Sequence, residues 1–144
     1  ASRIVFFPAA RSVTKLSGDK LTKRLEKLRA TAVSACEQCG RSRIPEIEAF
    51  VSAETMLSGL KADARVILAP SSDPGLALGA ARSVVFAVGP EGGFSEEELT
   101  LADGAGWTRG LLGPRVLRTE TAGLVAIACA NAVSGDYDIT GSRA

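Results

Sequence analysis

Two segments rich in glycine and proline carry most of the residues that could do chemistry. The glycine segment, residues 89–95, reads GPEGGFS and stands between the apolar run VVFAV and three acidic residues. The arginine segment, residues 112–123, reads LGPRVLRTETAG and carries two arginines, one carboxylate and two threonines. Each segment follows a predicted strand and precedes a predicted helix. Because loops at the carboxyl ends of neighbouring parallel strands converge, we expect both segments to line one pocket.

The surroundings of the glycine segment restrict its ligand. It lacks the Gly-Lys-Ser/Thr of a nucleotide phosphate loop and the G-x-G-x-x-G spacing of a dinucleotide fingerprint. Residues 96–98, all Glu, occupy the positive end of the next helix and so disfavour a phosphate there. Ser95 and Glu98 match a capping box for that helix. An uncharged or cationic ligand fits better, and the alternative is a tight turn that only needs positive φ values or close contact with neighbouring chain.

The arginine segment also has a purely structural interpretation. Thr119 or Thr121 can serve as the N-cap of the last helix, and the helix dipole stabilises Glu120. That interpretation leaves Arg115 and Arg118 unexplained, because a cation at a helix N-terminus is unfavourable by up to about 1 kcal/mol. We therefore expect a ligand to hold these arginines.

The chain contains no histidine, so catalysis must use carboxylates, arginine, cysteine, hydroxyls, backbone groups or a cofactor. The pair CEQC at residues 36–39 could suggest a redox or zinc site, but a second pair is missing. We interpret Cys36 and Cys39 as small residues on a helix face and Cys129 as a core residue, and we predict no metal. Three cysteines make a disulfide framework improbable and favour a reducing, cytoplasmic location.

Charge is distributed unevenly along the 144 residues, a length that fits one domain. Residues 1–43 contain ten Lys and Arg against three Asp and Glu, whereas the remainder contains seven against thirteen. This asymmetry indicates an anionic partner for the first third of the chain, or an ordinary solvated basic face. No apolar run approaches the roughly 20 residues that span a bilayer, and we predict no membrane contact.

Strands and helices alternate in the predicted order, which indicates an α/β fold with a mainly parallel sheet flanked by helices. We predict a buried strand at residues 3–7, further strands at 65–69 and 83–89, an extended segment at 44–50 and a short strand within 104–112. We predict helices at residues 19–39, 52–60, 96 to 102 or 103, and 121–133. Asp19 and Ser52 are the predicted N-caps of the first two helices, and Gly40 and Gly135 the predicted stops of the first and last.

Three segments resemble a known family. CEQCGRSRIPEI (36–47), VGPEGGFSEEE (88–98) and LGPRVLRTETA (112–122) resemble the RsmE-type methyltransferases of the SPOUT superfamily, and the resemblance extends from near residue 3 to near residue 137. It implies S-adenosylmethionine-dependent methylation of N3 of one uridine in 16S ribosomal RNA of the small subunit. It also implies that residues 1–144 form one SPOUT methyltransferase domain with a deep trefoil knot.

The resemblance further implies roles for individual residues. Cofactor-binding residues would be Leu68, Gly89, Pro90, Glu91, Gly92, Gly93, Leu112, Gly113, Leu117, Arg118, Thr119, Thr121 and Ala122. The candidate catalytic residues would be Arg118 or Arg115, one of which would stabilise a uracil anion, and Glu120, which would accept the N3 proton. RNA-binding residues would be Lys20, Lys23, Arg24, Lys27, Arg41 and Arg43.

The family pattern also contains parts without a counterpart here. Its members begin with a PUA-like RNA-binding domain, followed by a strand and a helix of the methyltransferase domain. We therefore expect a fragment whose sheet lacks its first strand, and a homodimer in which Trp107 lies either at the interface or in the core. The alternative function is a knotted dimerisation module that binds the cofactor and is inactive alone. A nucleotide-phosphate enzyme is a third interpretation, which residues 96–98 disfavour.

Overall fold

The computed structural model describes residues 1–13, 17–70, 75–76 and 78–134. The predicted helix stop at Gly135 lies outside these residues. The described elements are β1 (Arg3–Phe6), α1 (Gly18–Cys39), β2 (Glu46–Ala49), α2 (Ala53–Gly59), β3 (Ala64–Leu68), β4 (Val84–Val88), α3 (Glu96–Gly104), β5 (Thr108–Gly110) and α4 (Thr119–Ser134). Within those ranges, no helix combines the length and the apolar content needed to cross a bilayer.

Every strand pairing in the described part is parallel. β1 pairs with β2, and β3 lies between β4 and β5 in a three-stranded sheet. Helices α3 and α4 pack beside this sheet, α3 against β5 and α4 against β4. The predicted α/β class, with a mainly parallel sheet flanked by helices, is confirmed. The order β4-β3-β5 places the ends of three strands side by side, where loops can form a common site.

The core lies between the three-stranded sheet and helices α2 and α3. Met56 and Leu57 of α2 pack there with Ile67 of β3 and with Trp107, which is only 4% exposed. The indole Nε1 of Trp107 donates a hydrogen bond to the main-chain oxygen of Leu57 at 2.8 Å. The two alternatives for Trp107 are thereby resolved in favour of the core.

The prediction of a buried strand at residues 3–7 is wrong for one of its faces. Val5 and Phe7 pack against the core, whereas Ile4 is 39% and Phe6 38% exposed. Alternate side chains of a strand point to opposite faces. Only one face of the β1–β2 pair meets the core in the described part of the protein, so the apolar run is half-buried.

Helix starts differ from two of the sequence predictions. Ser17, in extended conformation, is the N-cap of α1, and Asp19 lies inside the first turn, where its charge still meets the positive end of the dipole. Helix α4 begins at Thr119, two residues before the predicted start. The predicted capping residues Ser52 and Ser95 are confirmed, as is Gly40, which ends α1 with a φ of 70°.

Candidate active site

An open cavity of about 680 Å³ lies at the carboxyl ends of β3, β4 and β5. Its wall includes Leu68 at the end of β3, the glycine segment after β4 and most of the arginine segment after β5. The two segments predicted to share a pocket therefore do so. This follows from the strand order, because β3 brings the ends of β4 and β5 to either side of its own end.

Most of the residues predicted to bind a cofactor line this cavity: Leu68, Gly89, Pro90, Glu91, Gly92, Gly93, Leu112, Leu117, Arg118, Thr119 and Ala122. Gly113 and Thr121 do not. Gly113 lines a smaller apolar recess with Leu111, Leu112 and Cys129, and Thr121 is exposed on α4. The cavity therefore has apolar side chains and exposed main-chain groups in one concave surface, which is typical of small-molecule sites.

The glycine segment is a tight turn. The amide of Gly93 donates to the oxygen of Pro90 at 2.8 Å, and Gly93 has a φ of 69°. A Cβ on Gly89 would lie 3.1 Å from Cδ2 of Phe94 and 3.2 Å from the carbonyl carbon of Gly93. Two of the glycines are thus required by the turn itself, while the main chain of the segment still lines the cavity.

A direct hydrogen bond joins the two segments. Oγ1 of Thr119 donates to the main-chain oxygen of Gly89 at 3.1 Å. The structural interpretation of the arginine segment offered Thr119 or Thr121 as the N-cap of α4. Thr119 is instead the first residue of that helix and Thr121 lies inside it, so neither is its N-cap. Ala122, one turn further along α4, is 8% exposed and lines the cavity.

The predicted catalytic side chains share this cavity. Arg115, Arg118 and Glu120 all line it and are exposed. Among the described residues, none of these three side chains has a hydrogen-bond or ion-pair partner. The two guanidinium groups and the carboxylate are thus available to a ligand, which agrees with the expectation that the cap alone does not account for the arginines.

Arg11 is the main site residue that sequence reasoning missed. It lies in the turn after β1, lines the cavity, and donates from Nη1 to the main-chain oxygen of Gly92 at 2.8 Å. No motif identifies Arg11. Its position just after a predicted strand was the one feature of the sequence that could have indicated a place in the site. Other lining residues outside the predicted set are Ala69, Pro70, Val88, Phe94, Glu96, Leu99, Gly110, Leu111 and Val116.

Glu98 is a buried carboxylate at the base of the glycine segment, with 6% of its surface exposed. Its Oε2 accepts from the amide of Ser95 at 2.9 Å, which completes the predicted capping box. Its Oε1 accepts from the amide of Ala10 at 2.8 Å. One side chain therefore fastens both the start of α3 and the turn after β1.

Three acids outside the cavity have a lowered pKa. The pKa of Glu97 lies below its ordinary value, chiefly because its carboxylate accepts a hydrogen bond from its own main-chain N–H. A hydrogen bond from the Ser95 hydroxyl lowers it further. The guanidinium of Arg109, bonded to both carboxylate oxygens of Asp103, lowers the pKa of that carboxyl. Backbone amides lower the pKa of Asp63. Glu97 lies at the start of α3, Asp103 at its end and Asp63 just before β3, so these acids contribute to the fold.

The predicted RNA-binding residues all lie at the surface. Each is exposed, either on α1 or in the turn that follows it: Lys20, Lys23, Arg24, Lys27, Arg41 and Arg43. Arg29 on the same helix differs, because its Nη2 donates to the main-chain oxygen of Ile47 at 2.9 Å. That bond anchors α1 to β2. The six predicted RNA-binding side chains make no such bond within the described part of the chain.

The three cysteines are free thiols in different settings. Cys36 is buried and Cys39 is exposed on α1, while Cys129 is half-buried beside the small recess. The interpretation of the CEQC pair as helix residues holds, and Cys129 is less buried than predicted because α4 keeps one side at the surface. The described residues contain no cluster of three or more His, Cys, Asp or Glu side chains that could hold a metal ion.

Comparison with known proteins places these features in context. A family model described as an RNA methyltransferase domain matches residues 1–131. The ribosomal RNA small subunit methyltransferase E of Mycobacterium bovis is 32% identical over 150 residues, which cover 99% of this chain and 57% of that protein. The protein of the same name from Bacillus subtilis is 36% identical over 141 residues, covering 88% and 54%.

Solved structures are similar over the same region. Lpg2936 from Legionella pneumophila, determined with bound SAM, superimposes with a TM-score of 0.86 at 34% identity, over 92% of this chain and 55% of that one. The ribosomal RNA small subunit methyltransferase E of Neisseria gonorrhoeae, bound to S-adenosyl methionine, gives 0.72 at 33% identity, over 84% and 52%. This chain thus spans a little over half the length of these four proteins.

Proposed function

Since this chain belongs to the RNA methyltransferase domain family, we propose that it methylates N3 of a specific uridine in 16S ribosomal RNA, with S-adenosyl-L-methionine as the methyl donor. The predicted membership of the RsmE type is confirmed by the relatives of that name. One observation carries the proposal: the glycine and arginine segments form one cavity at the ends of three parallel strands.

The residues around the cavity fit such a cofactor. Its volume of about 680 Å³ lies within the range of small-molecule sites. Leu68, Leu112 and Leu117 offer apolar surface for the adenine ring, and the main chain of the glycine segment offers hydrogen-bonding groups. Glu91 and Glu120 supply the negative charge that suits a sulfonium or an ammonium group.

When bound, S-adenosylmethionine supplies an electrophilic methyl group on a sulfonium centre. The chain contributes position and electrostatics. Leucine side chains and the main chain of the two segments would hold the adenosine and methionine parts of the cofactor against the cavity wall. Holding a uridine and the donor in one orientation turns an encounter in solution into a reaction within a complex, which lowers the barrier.

The charged residues of the arginine segment are assigned two tasks: accepting the proton of the uridine and stabilising the negative charge that remains. N3 of uridine carries a proton at neutral pH, and Glu120 accepts it. The negative charge then spreads to the uracil carbonyl oxygens, where Arg118 or Arg115 stabilises it. The support for this assignment is that all three side chains line the cavity and lack partners among the described residues.

The exposed cations of α1 and the turn after it are assigned to the RNA backbone. Phosphate contacts of Lys and Arg supply affinity that depends on salt and position the RNA, while the cavity selects the base. A protein that modifies ribosomal RNA acts where ribosomes are, and we place its activity in the cytoplasm.

The trefoil knot and the homodimer that the resemblance implies are part of the proposal. The path of the chain supports a knot, because it leaves β5 at one edge of the sheet, crosses the end of β3 and continues into α4, which packs on β4. The loop that such a path would thread, between β3 and β4, includes residues 71–74 and 77, which lie outside the described ones.

A second candidate function is a domain that binds the cofactor and dimerises but does not methylate alone. Two observations support it. The cavity is built within the described residues, and the chain covers only 57% and 54% of the two relatives that methylate ribosomal RNA by name. Both candidates predict binding of S-adenosylhomocysteine, so binding does not separate them.

Methyl transfer separates the two candidates. The chain would be incubated with labelled S-adenosylmethionine and with 16S RNA or small subunits that lack the modification, and the digested nucleosides identified by mass spectrometry. The proposal predicts 3-methyluridine. Cofactor binding without transfer would favour the binding domain, a methyl group on another atom would contradict the N3 assignment, and no binding in calorimetry would reject both.

A further inference from the structure

The turn after β1 is a small rigid unit that abuts the glycine segment. Ala9 is 2% exposed, its amide donates to Oγ of Ser12 at 3.1 Å, and the amide of Ser12 donates back to the oxygen of Ala9 at 3.1 Å. Phe7, just before the turn, stacks on Phe94 of the glycine segment with ring centroids 6.3 Å apart. The turn is therefore fixed on both sides of Arg11.

Two hydrogen bonds tie this turn to the region of the glycine segment. The main-chain amide of Ala10 donates to the buried carboxylate of Glu98, and Nη1 of Arg11 donates to the oxygen of Gly92, each at 2.8 Å. They join parts of the chain 88 and 81 residues apart. A capping box needs only the two reciprocal bonds between Ser95 and Glu98, and only Oε2 of the Glu98 carboxylate takes part in them. The other oxygen, Oε1, serves the turn.

Arg11 and Gly92 also fit each other sterically. A Cβ on Gly92 would lie 3.3 Å from Cβ and 3.5 Å from Cδ of Arg11. The aliphatic stem of the arginine thus lies over the glycine, and its guanidinium bonds the oxygen of the same residue. This accounts for Gly92, which has neither the positive φ of Gly93 nor the crowded position of Gly89.

We propose that Arg11 is a positioning residue that fixes the glycine segment in its binding conformation before the cofactor arrives. Glu98 holds the turn that carries it, through the amide of Ala10. The inference rests on the proposed function, because the ligand of that segment is taken to be S-adenosylmethionine. A guanidinium bond to a main-chain oxygen is charge-assisted and directional. A wall that is already ordered loses less conformational entropy when the ligand binds, which raises affinity.

Three variants test this role through affinity for S-adenosylhomocysteine, measured by calorimetry. Arg11→Met keeps the stem and removes the donors, and we expect about five- to tenfold weaker binding, the size of one such hydrogen bond. Arg11→Lys keeps a cationic donor and should recover most of the affinity. Arg82→Met removes an exposed arginine whose side chain has no hydrogen bond or ion pair among the described residues, and it should bind like the unmodified protein.

Hydrogen exchange in the ligand-free protein tests the fixing itself. The Gly93 amide is bonded to the oxygen of Pro90 and reports whether the turn is closed. We expect it to exchange faster in Arg11→Met than in Arg82→Met. Steady-state kinetics add a second readout, since loss of positioning should raise KM for S-adenosylmethionine and leave kcat near its original value.

The affinity, exchange and kinetic results for Arg11→Met decide whether Arg11 positions the glycine segment. Unchanged affinity and unchanged Gly93 exchange in Arg11→Met would overturn the inference, as would a fall in kcat at constant KM, which would make Arg11 a group that contacts the reacting atoms. If the unmodified protein does not bind S-adenosylhomocysteine, the proposed function fails. The exchange of Gly93 would still decide the role of Arg11, because that measurement needs no ligand.

Discussion

The hydroxyl of Thr119 donates a hydrogen bond to the main-chain oxygen of Gly89 at 3.1 Å, across 30 residues of sequence. Gly89 is the first residue of the glycine segment and directly follows β4. Thr119 lies in the arginine segment and is the first residue of α4. The bond therefore holds the two walls of the cavity together at the point where β4 and α4 meet. Among the described residues, no other side-chain hydrogen bond or ion pair joins the two segments.

Replacing Thr119 by Val should weaken cofactor binding. Valine has nearly the same shape but cannot donate, so the oxygen of Gly89 loses its partner and the walls can separate. We expect about three- to tenfold weaker binding of S-adenosylhomocysteine, the size of one neutral hydrogen bond. Thr119→Ser should bind almost normally. Thr31→Val, which removes an exposed hydroxyl on α1 bonded to Lys27, is the matched control, and equal losses in Thr31→Val and Thr119→Val would disprove the role of the bond.

Replacing the arginine that faces the base should slow the chemical step. We expect either Arg118→Ala or Arg115→Ala to lower kcat on ribosomal RNA by about 10²–10³-fold, the effect typical of a group that stabilises developing negative charge. Single-turnover rates at saturating RNA measure this without interference from binding. If both variants turn over normally, neither arginine has the proposed role.

Neutralising cations on α1 should change how RNA binding depends on salt. If Lys20, Lys23 and Lys27 each contact a phosphate, the triple change to Gln should lower the slope of log K against log salt by about two to three units. Filter binding at several salt concentrations gives the slope. Lys61→Gln, which removes a cation bonded to the oxygen of Ser58 elsewhere on the surface, is the control. An unchanged slope in the triple variant would indicate an ordinary solvated face.

Gly110 should be intolerant of a side chain. A Cβ there would lie 2.5 Å from Cγ1 of Val66, which is 1% exposed and unable to move aside freely. Gly110→Ala is therefore expected to lower the free energy of unfolding by about 1–3 kcal/mol, as overpacking in a core does. Gly104→Ala, where no atom apart from the neighbouring backbone of its own helix lies within 4 Å of the added Cβ, should be neutral or stabilising. Urea denaturation measures both, and a neutral Gly110→Ala would contradict this account.

The carboxylate of Asp63 should make the free energy of unfolding depend on pH in the acidic range. Its Oδ2 accepts from the amides of Arg82 and Ser83 before β4, and these bonds lower its pKa in the folded state. The contribution to stability is then complete above the ordinary pKa of 3.8 and is lost as the pH falls through the lower, folded value. Asp63→Asn retains an acceptor without a charge and should reduce the loss of stability on acidification. Parallel pH profiles of the two proteins would contradict the prediction.

The parts of the fold that depend on local patterns could be predicted from the sequence. The apolar runs at β3 and β4 and the capping residues Ser52 and Ser95 are local signals, and the structure contains them. The meeting of the glycine and arginine segments could also be predicted, because it requires only parallel strands and adjacent ends. Local chemistry and one topological rule were sufficient for the cavity.

What could not be predicted depends on contacts between distant residues. The sequence around Arg11 contains no motif, and its bond to Gly92 exists only after β1 and β4 have been placed. The hydroxyl of Thr119 looked like a helix cap because the oxygen of Gly89 cannot be found from local sequence. The half-exposed face of β1 was missed for the same reason, since an apolar run does not reveal which of its sides has a neighbour.

The central place of β3 has a consequence for synthesis of the chain. β3 and β4 are synthesised before β5, but the other edge of β3 pairs with β5, and the cavity wall is complete only with Ala122. Until β5 emerges from the ribosome, β3 presents an unpaired edge that includes the apolar residues Val66 and Ile67. Such edges pair readily with other chains. We therefore expect a nascent chain that stops before Thr108 to be an aggregation-prone intermediate and not a smaller working domain.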